Sequence, residues 1–171
     1  GENWNQLSLG LGGRDVFALQ QTESGALLAG TNSGIFVWEG LQGWKPLNVL
    51  LPDPPAPAPV SKGKAARRKP APRPKPSKLA MRVNHLEVTP AGWFAASKQG
   101  LLISLNRGKS WSRAAQLGAR DFVSVRGRGE LVVAATGWRG HELRVYAANG
   151  RVRARARFAA WDAAITADGT I

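Results

Sequence analysis

An all-β fold built from repeated antiparallel units is predicted by three features: a recurring segment, strand-length apolar runs between turn residues, and a proline-rich tract that breaks the period. The recurrence appears when Leu11, Gly12, Gly13, Arg14 and Asp15 are set against Leu117, Gly118, Ala119, Arg120 and Asp121, each followed by apolar residues. A looser copy surrounds Arg82, and a weaker one begins at Phe158 and carries Trp161. Arg82 and Arg120 lie 38 residues apart and Arg120 and Trp161 lie 41 apart, whereas Arg14 and Arg82 are separated by 68. The surplus of 30 residues equals the length of the tract 51–80. A period near 40 residues marks a repeat architecture, and four short strands per period is the size of a propeller blade. The expected fold is therefore consecutive four-stranded antiparallel blades of a β-propeller, about three of them in an incomplete ring.

In the first repeat the strands are expected at about 15–22, 26–31, 34–39 and 44–50, because apolar runs there are bounded by Glu23, Ser24 and Gly25, by Asn32, Ser33 and Gly34, and by the stretch from Gly40 to Gly43. The second repeat places them at about 82–89, 92–97, 101–105 and 111–116, with Thr89, Pro90, Ala91 and Gly92 matching the first turn. In the third, Asn149 and Gly150 are a two-residue hairpin signal between strands at 143–148 and 151–158. The organisation expected is a trailing strand of a preceding blade over 1–10, a blade over 11–50, an insertion over 51–80, blades over 81–117 and 118–158, and the start of another over 159–171. The count of strands leads to the expectation of further blades in the parent ring, and the opening at Gly1 to the expectation that the natural start lies upstream.

Composition narrows the functional classes. No cysteine is present, so disulfide frameworks and thiolate metal sites are excluded. No apolar run reaches the roughly 18 residues that a membrane-spanning helix requires. The formal net charge is +13. It concentrates in the tract 51–80, where eight basic residues face Asp53, and in the stretch 120–157, where nine arginines face Asp121, Glu130 and Glu142. The tract is rich in proline and lysine or arginine and poor in apolar side chains, which predicts a solvated, disordered loop.

The stretch from Ser104 to Trp111 resembles the Asp-box of sialidase-like propellers, a hairpin of the form Ser-x-Asp-x-Gly-x-Thr-Trp. Ser104, Asn106, Gly108 and Trp111 occupy the motif positions, with Asn106 in place of the aspartate. An oxygen at that position can accept from backbone N–H groups of the turn, glycine tolerates positive φ, and tryptophan covers the hairpin. The beginning of the chain at Glu2, Asn3 and Trp4 and the stretch from Val37 to Trp44 look like weaker copies. The repeats are also similar to those of photosystem II assembly-factor propellers, which bear an arginine-rich face, and to repeats of bacterial extracytoplasmic proteins and sorting-receptor ectodomains. What the resemblance implies is the fold, a structural role for the box, and a binding scaffold as the common use.

A catalytic reading finds little support in the residues. The sialidase pattern implies an arginine triad, a tyrosine with a glutamate partner and an acidic residue, but Tyr146 is the sole tyrosine and falls on an expected third strand without an acidic pair. His85 and His141 are the two histidines and bring no further metal ligands. The expectation is a non-enzyme with no cofactor and no metal, a fragment of a glycoside hydrolase with its catalytic residues elsewhere being the alternative.

Arginine supplies the binding candidates. Arg14, Arg82 and Arg120 are expected at the starts of successive innermost strands, where three guanidinium groups on the channel rim would hold an anion or carboxylate; the alternative is that each pairs with Asp15 or Asp121 and seals a loop. Arg151, Arg153, Arg155 and Arg157 alternate with small or apolar residues, either guarding a blade edge or forming a polyanion ladder. The partners expected are an acidic protein or other anionic ligand, nonspecific nucleic acid through the ladder, and the remaining blades.

Overall fold

A computed structural model describes residues 3, 5–47, 50–51, 77–78, 81–114, 117, 120–137, 143–147 and 151–171. Three four-stranded antiparallel meanders follow one another. The first comprises β1 (Val16–Gln21), β2 (Leu27–Thr31), β3 (Gly34–Trp38) and β4 (Trp44–Pro46). Between β3 and β4 lies a single 3-10 turn, Gly40–Gln42. A two-residue ladder, β5 (Leu50–Leu51) with β6 (Ser77–Lys78), precedes the second meander of β7 (Val83–Thr89), β8 (Gly92–Ser97), β9 (Gly100–Ser104) and β10 (Ser112–Arg113). The third holds β11 (Ser124–Arg128), β12 (Leu131–Ala135), β13 (Leu143–Ala147) and β14 (Val152–Ala156). The expected all-β class, with three consecutive four-stranded sheets, is what forms.

Alternation along the second strand of each sheet explains why the sheets stack. Successive side chains of a strand point to opposite faces. Leu28 packs with Val83, Leu86 and Leu102 between the first and second sheets, while its neighbour Ala29 joins Leu11, Phe36 and Trp44 on the far face. Ala95 belongs to the first of these cores, and Phe94 and Ala96 belong to the next, with Phe122, Val125, Val132 and Ala134. Val133 and Ala135 then face Ala160, Ala163 and Ile165. Strands buried on both faces carry near-continuous apolar runs, which is the pattern of LLAG, WFAA and LVVAA in this sequence. Sheets also approach closely where a side chain is missing: a Cβ on Gly30 would lie 2.9 Å from Cγ1 of Val83.

Polar bridges join the inner strands. Gly34 N–H donates to Met81 O (2.8 Å), Phe122 N–H to Ser97 O (3.1 Å) and Gly137 N–H to Ala160 O (3.0 Å). His85 Nδ1 lies 2.7 Å from Val125 O. Arg126 grips Asp162 with two bonds, Nη2 to Oδ2 at 2.7 Å and Nε to Oδ1 at 3.2 Å. That guanidinium holds the Asp162 carboxyl down at about 2, while burial, helped by the Arg126 charge, keeps His85 below the ordinary imidazole value. Both groups give stability that is lost on the acid side. Stability should fall first as pH drops below about 6.5, where unfolded His85 takes up a proton, and again between about 4 and 2, where Asp162 does. Urea midpoints from pH 7 to pH 2.5 check this: Asp162→Asn should flatten the lower step and leave the upper one.

The segment Ser104 to Trp111 is a closed turn. Ser104 Oγ accepts from Gly108 N–H (2.8 Å) and donates to Asn106 Oδ1 (3.0 Å), which also accepts from Ser110 N–H (2.8 Å). Gly108 has φ +80°, and Trp111 is buried among Leu28, Ile35 and Leu102. Trp44, in the first sheet, donates its indole N–H to Leu7 O (2.8 Å), whereas Trp111 Nε1 is buried with no hydrogen-bond partner among the described residues. Trp44→Phe should therefore cost about 1 kcal/mol more than Trp111→Phe, the net worth of one hydrogen bond, as read from paired urea melts.

The two ends of the proline-rich tract are adjacent, since Leu50 pairs with Lys78 and Leu51 with Ser77. The expected disorder of the tract between them lies outside the described residues, as do His141 and the Asn149 and Gly150 turn.

Candidate functional site

In a meander the first strand starts, and the second ends, at the same end of the sheet. Residues that precede β7 and β11 therefore meet residues that follow β8 and β12, at the end of the stack opposite the Ser104 to Trp111 turn. A cleft of about 340 Å³ lies there, lined by Arg82, Asn84, Lys98, Asp121, Val123, Thr136, Gly137 and Trp161.

Local bonds position each wall. Arg82 O accepts from Lys98 N–H (3.1 Å), which ties the segment entering β7 to the β8–β9 turn and brings two cations to one side. The Arg82 guanidinium sits 3.9 Å above the centre of the Phe17 ring, a cation–π contact that limits its side-chain freedom. Asn84, the extra residue of a bulge in β7, donates Nδ2 to Asp121 Oδ1 (3.2 Å) and to Phe122 O (2.7 Å). One carboxylate oxygen of Asp121 is thereby fixed. Thr136 is buried, and Trp161, 66% exposed, packs its ring beside Gly137. Among the described residues neither Arg82 nor Lys98 forms an ion pair. The cleft thus combines two cations, one oriented acid, a hydroxyl and an aromatic plane.

Of the three arginines expected on the rim, the cleft includes Arg82. Arg14 lies over Phe36 (5.2 Å) and donates Nη1 to Leu11 O (2.7 Å). Arg120 is exposed and does not line the cleft. The neighbouring acids are held by asparagines: Asp15 Oδ2 accepts from Asn32 (3.2 Å), as Asp121 accepts from Asn84. Backbone pairing shows why the arginines differ, for Asn32 N–H donates to Asp15 O just as Lys98 N–H donates to Arg82 O. Arg82 occupies the place of Asp15, one residue along from the place of Arg14.

Arg151, Arg153, Arg155 and Arg157 are exposed, on and beside the edge strand β14. Their alternation is interrupted. Tyr146 pairs with Val152 and Val145 with Ala154, leaving Arg153 as an extra residue; Val152 packs against the core between the second and third sheets, while Ala156 packs on the other face. Arg155 stands opposite Arg144. Such a charged, bulged edge resists pairing with another strand. Tyr146 lies on the third strand of its sheet, as expected.

Sequence reasoning missed Lys98, Asn84, Thr136 and Trp161 as partners of Arg82. Among the described residues, no three His, Cys, Asp or Glu side chains gather into a metal-holding group, and no helix is long and apolar enough to cross a membrane.

No protein-family model matches the sequence, and no curated protein does. Among solved structures, the chain is similar to YCF48 from Cyanidioschyzon merolae, with a TM-score of 0.51 and 13% identity over 82% of this chain and 36% of that one. It also aligns with the computationally designed Ika8 protein, with a TM-score of 0.49 and 9% identity over 84% of this chain and 38% of that one. The chain therefore spans little more than a third of the length of either. At such identity the likeness to YCF48 is one of fold, and the three stacked meanders are consecutive blades of a β-propeller.

Proposed function

We propose that the chain is a noncatalytic propeller scaffold that recognises an acidic partner, and that the partner docks where Arg82 and Lys98 flank the cleft. The observation that carries this reading is the pairing of those two cations by a backbone bond, in a concave site where neither has an ion-pair partner among the described residues. An arginine held over a ring presents its donor fork in a restricted orientation and keeps its charge at every physiological pH. The net charge of +13, with exposed Arg153, Arg155 and Arg157, steers an acidic molecule toward the protein without specifying where it binds. The resemblance to assembly-factor propellers with an arginine-rich face agrees with this use.

Titration with a short polyglutamate peptide tests it. Affinity should fall by about tenfold between low and high salt, since screening shortens the reach of charge to about 3 Å at 1 M. Arg82→Ala and Lys98→Ala should each weaken binding, and Arg153→Ala with Arg155→Ala should mainly slow association. Equal affinity for wild type and both cleft variants would contradict the proposal.

A further inference from the structure

We infer that the cleft takes an α-carboxylate together with the N–H donor on the same α-carbon, an inference that rests on the cleft being the anion site. A plain anion would satisfy Arg82 and Lys98 but would face Asp121, a third charged group of the lining with the wrong sign. Asp121 is not turned aside as a neutralised bystander. Its Oδ1 is held by Asn84 at 3.2 Å, which orients the carboxylate and leaves Oδ2 to accept from a ligand.

A ligand whose carboxylate and N–H group share one carbon meets all three side chains at once: the carboxylate lies on the cations and the N–H on Asp121. Trp161, 66% exposed beside Gly137, and Val123 then offer an apolar wall to the side chain on that carbon. The volume of about 340 Å³ is at the low end of ligand pockets, enough for one residue and too small for a folded loop. Two sources present this chemistry, a free amino acid and the carboxyl-terminal residue of a polypeptide.

The test uses ligand-observed NMR with L-phenylalanine, 3-phenylpropionate and phenethylamine, and an acetylated tetrapeptide ending in phenylalanine as its free acid or amide. Phenylalanine should bind about tenfold more tightly than either single-charge fragment, because both charge-assisted contacts are made only by the intact ligand. Asp121→Asn should weaken phenylalanine and strengthen phenylpropionate, opposite signs that a general loss of structure cannot produce. Tighter binding of the peptide acid than of free phenylalanine identifies the polypeptide end as the source, and the reverse order identifies the amino acid; in either case the amide should lose about tenfold. If phenylpropionate equals phenylalanine and Asp121→Asn strengthens both, the inference fails while the anion site stands. If these ligands and polyglutamate all ignore the Arg82 and Lys98 variants, both readings fail.

Discussion

Replacement of Phe122 by alanine is expected to destabilise the protein by about 3–5 kcal/mol, the usual cost of deleting a fully buried phenyl ring and leaving a cavity. Phe122 is 0% exposed and packs with Phe94, Leu101, Val125 and Val132 between the second and third blades. Its backbone N–H donates to Ser97 O and its carbonyl accepts from Asn84, so the ring fills the junction whose polar edge forms the floor of the cleft. A loss of that size is a large part of the roughly 5–15 kcal/mol by which a domain is stable. Chemical denaturation should show it as a lowered midpoint, and polyglutamate affinity should fall with it even where most molecules remain folded. An effect below about 1 kcal/mol would mean that the blades are not joined through this core.

Reversing both cleft charges, Arg82→Glu with Lys98→Glu, is expected to weaken binding of an acidic peptide by roughly a hundredfold, the combined loss of two charge-assisted hydrogen bonds. Stability should change little, because both side chains are exposed and neither has an ion pair to lose among the described residues. Arg82 contributes its contact with Phe17, so a small loss is expected there. The affinity measurement and a melting curve on the same sample separate the two effects.

The strands were legible because local pattern decides them. LLAGT, GWFAAS and LVVAA lie between turn signals and form central strands, and the turn at Ser104 to Trp111 announces its hydrogen bonds in its residue types. Register was harder to read. Setting Arg14 against Arg82 matched like residues, but the turn after β1 has one more residue than the turn after β7, since Thr22 N–H bonds Ala26 O while Thr89 pairs directly with Gly92. A single extra residue moves the correspondence and places Asp15 where Arg82 stands. The alternation of Arg151 to Arg157 was legible as pattern, but the bulge at Arg153 was not, because it arises from pairing with β13.

The cleft was the least legible feature. Arg82 and Lys98 come from the second blade, Asp121 and Thr136 from the third, and Trp161 from the segment beyond it. Only stacking brings them together. Lys98 reads in sequence as an ordinary turn lysine and Trp161 as one more apolar residue of a faint repeat.

The most direct measurement of the central claim is the map of amide and side-chain NMR shifts when a short polyglutamate peptide is added. The account predicts the largest changes at the Trp161 indole N–H, the Arg82 Nε–H and the Lys98 amide, with small changes along β14. Changes concentrated on Arg153 to Arg157, or on the turn between Ser104 and Trp111, with Trp161 and Arg82 unmoved, would contradict it.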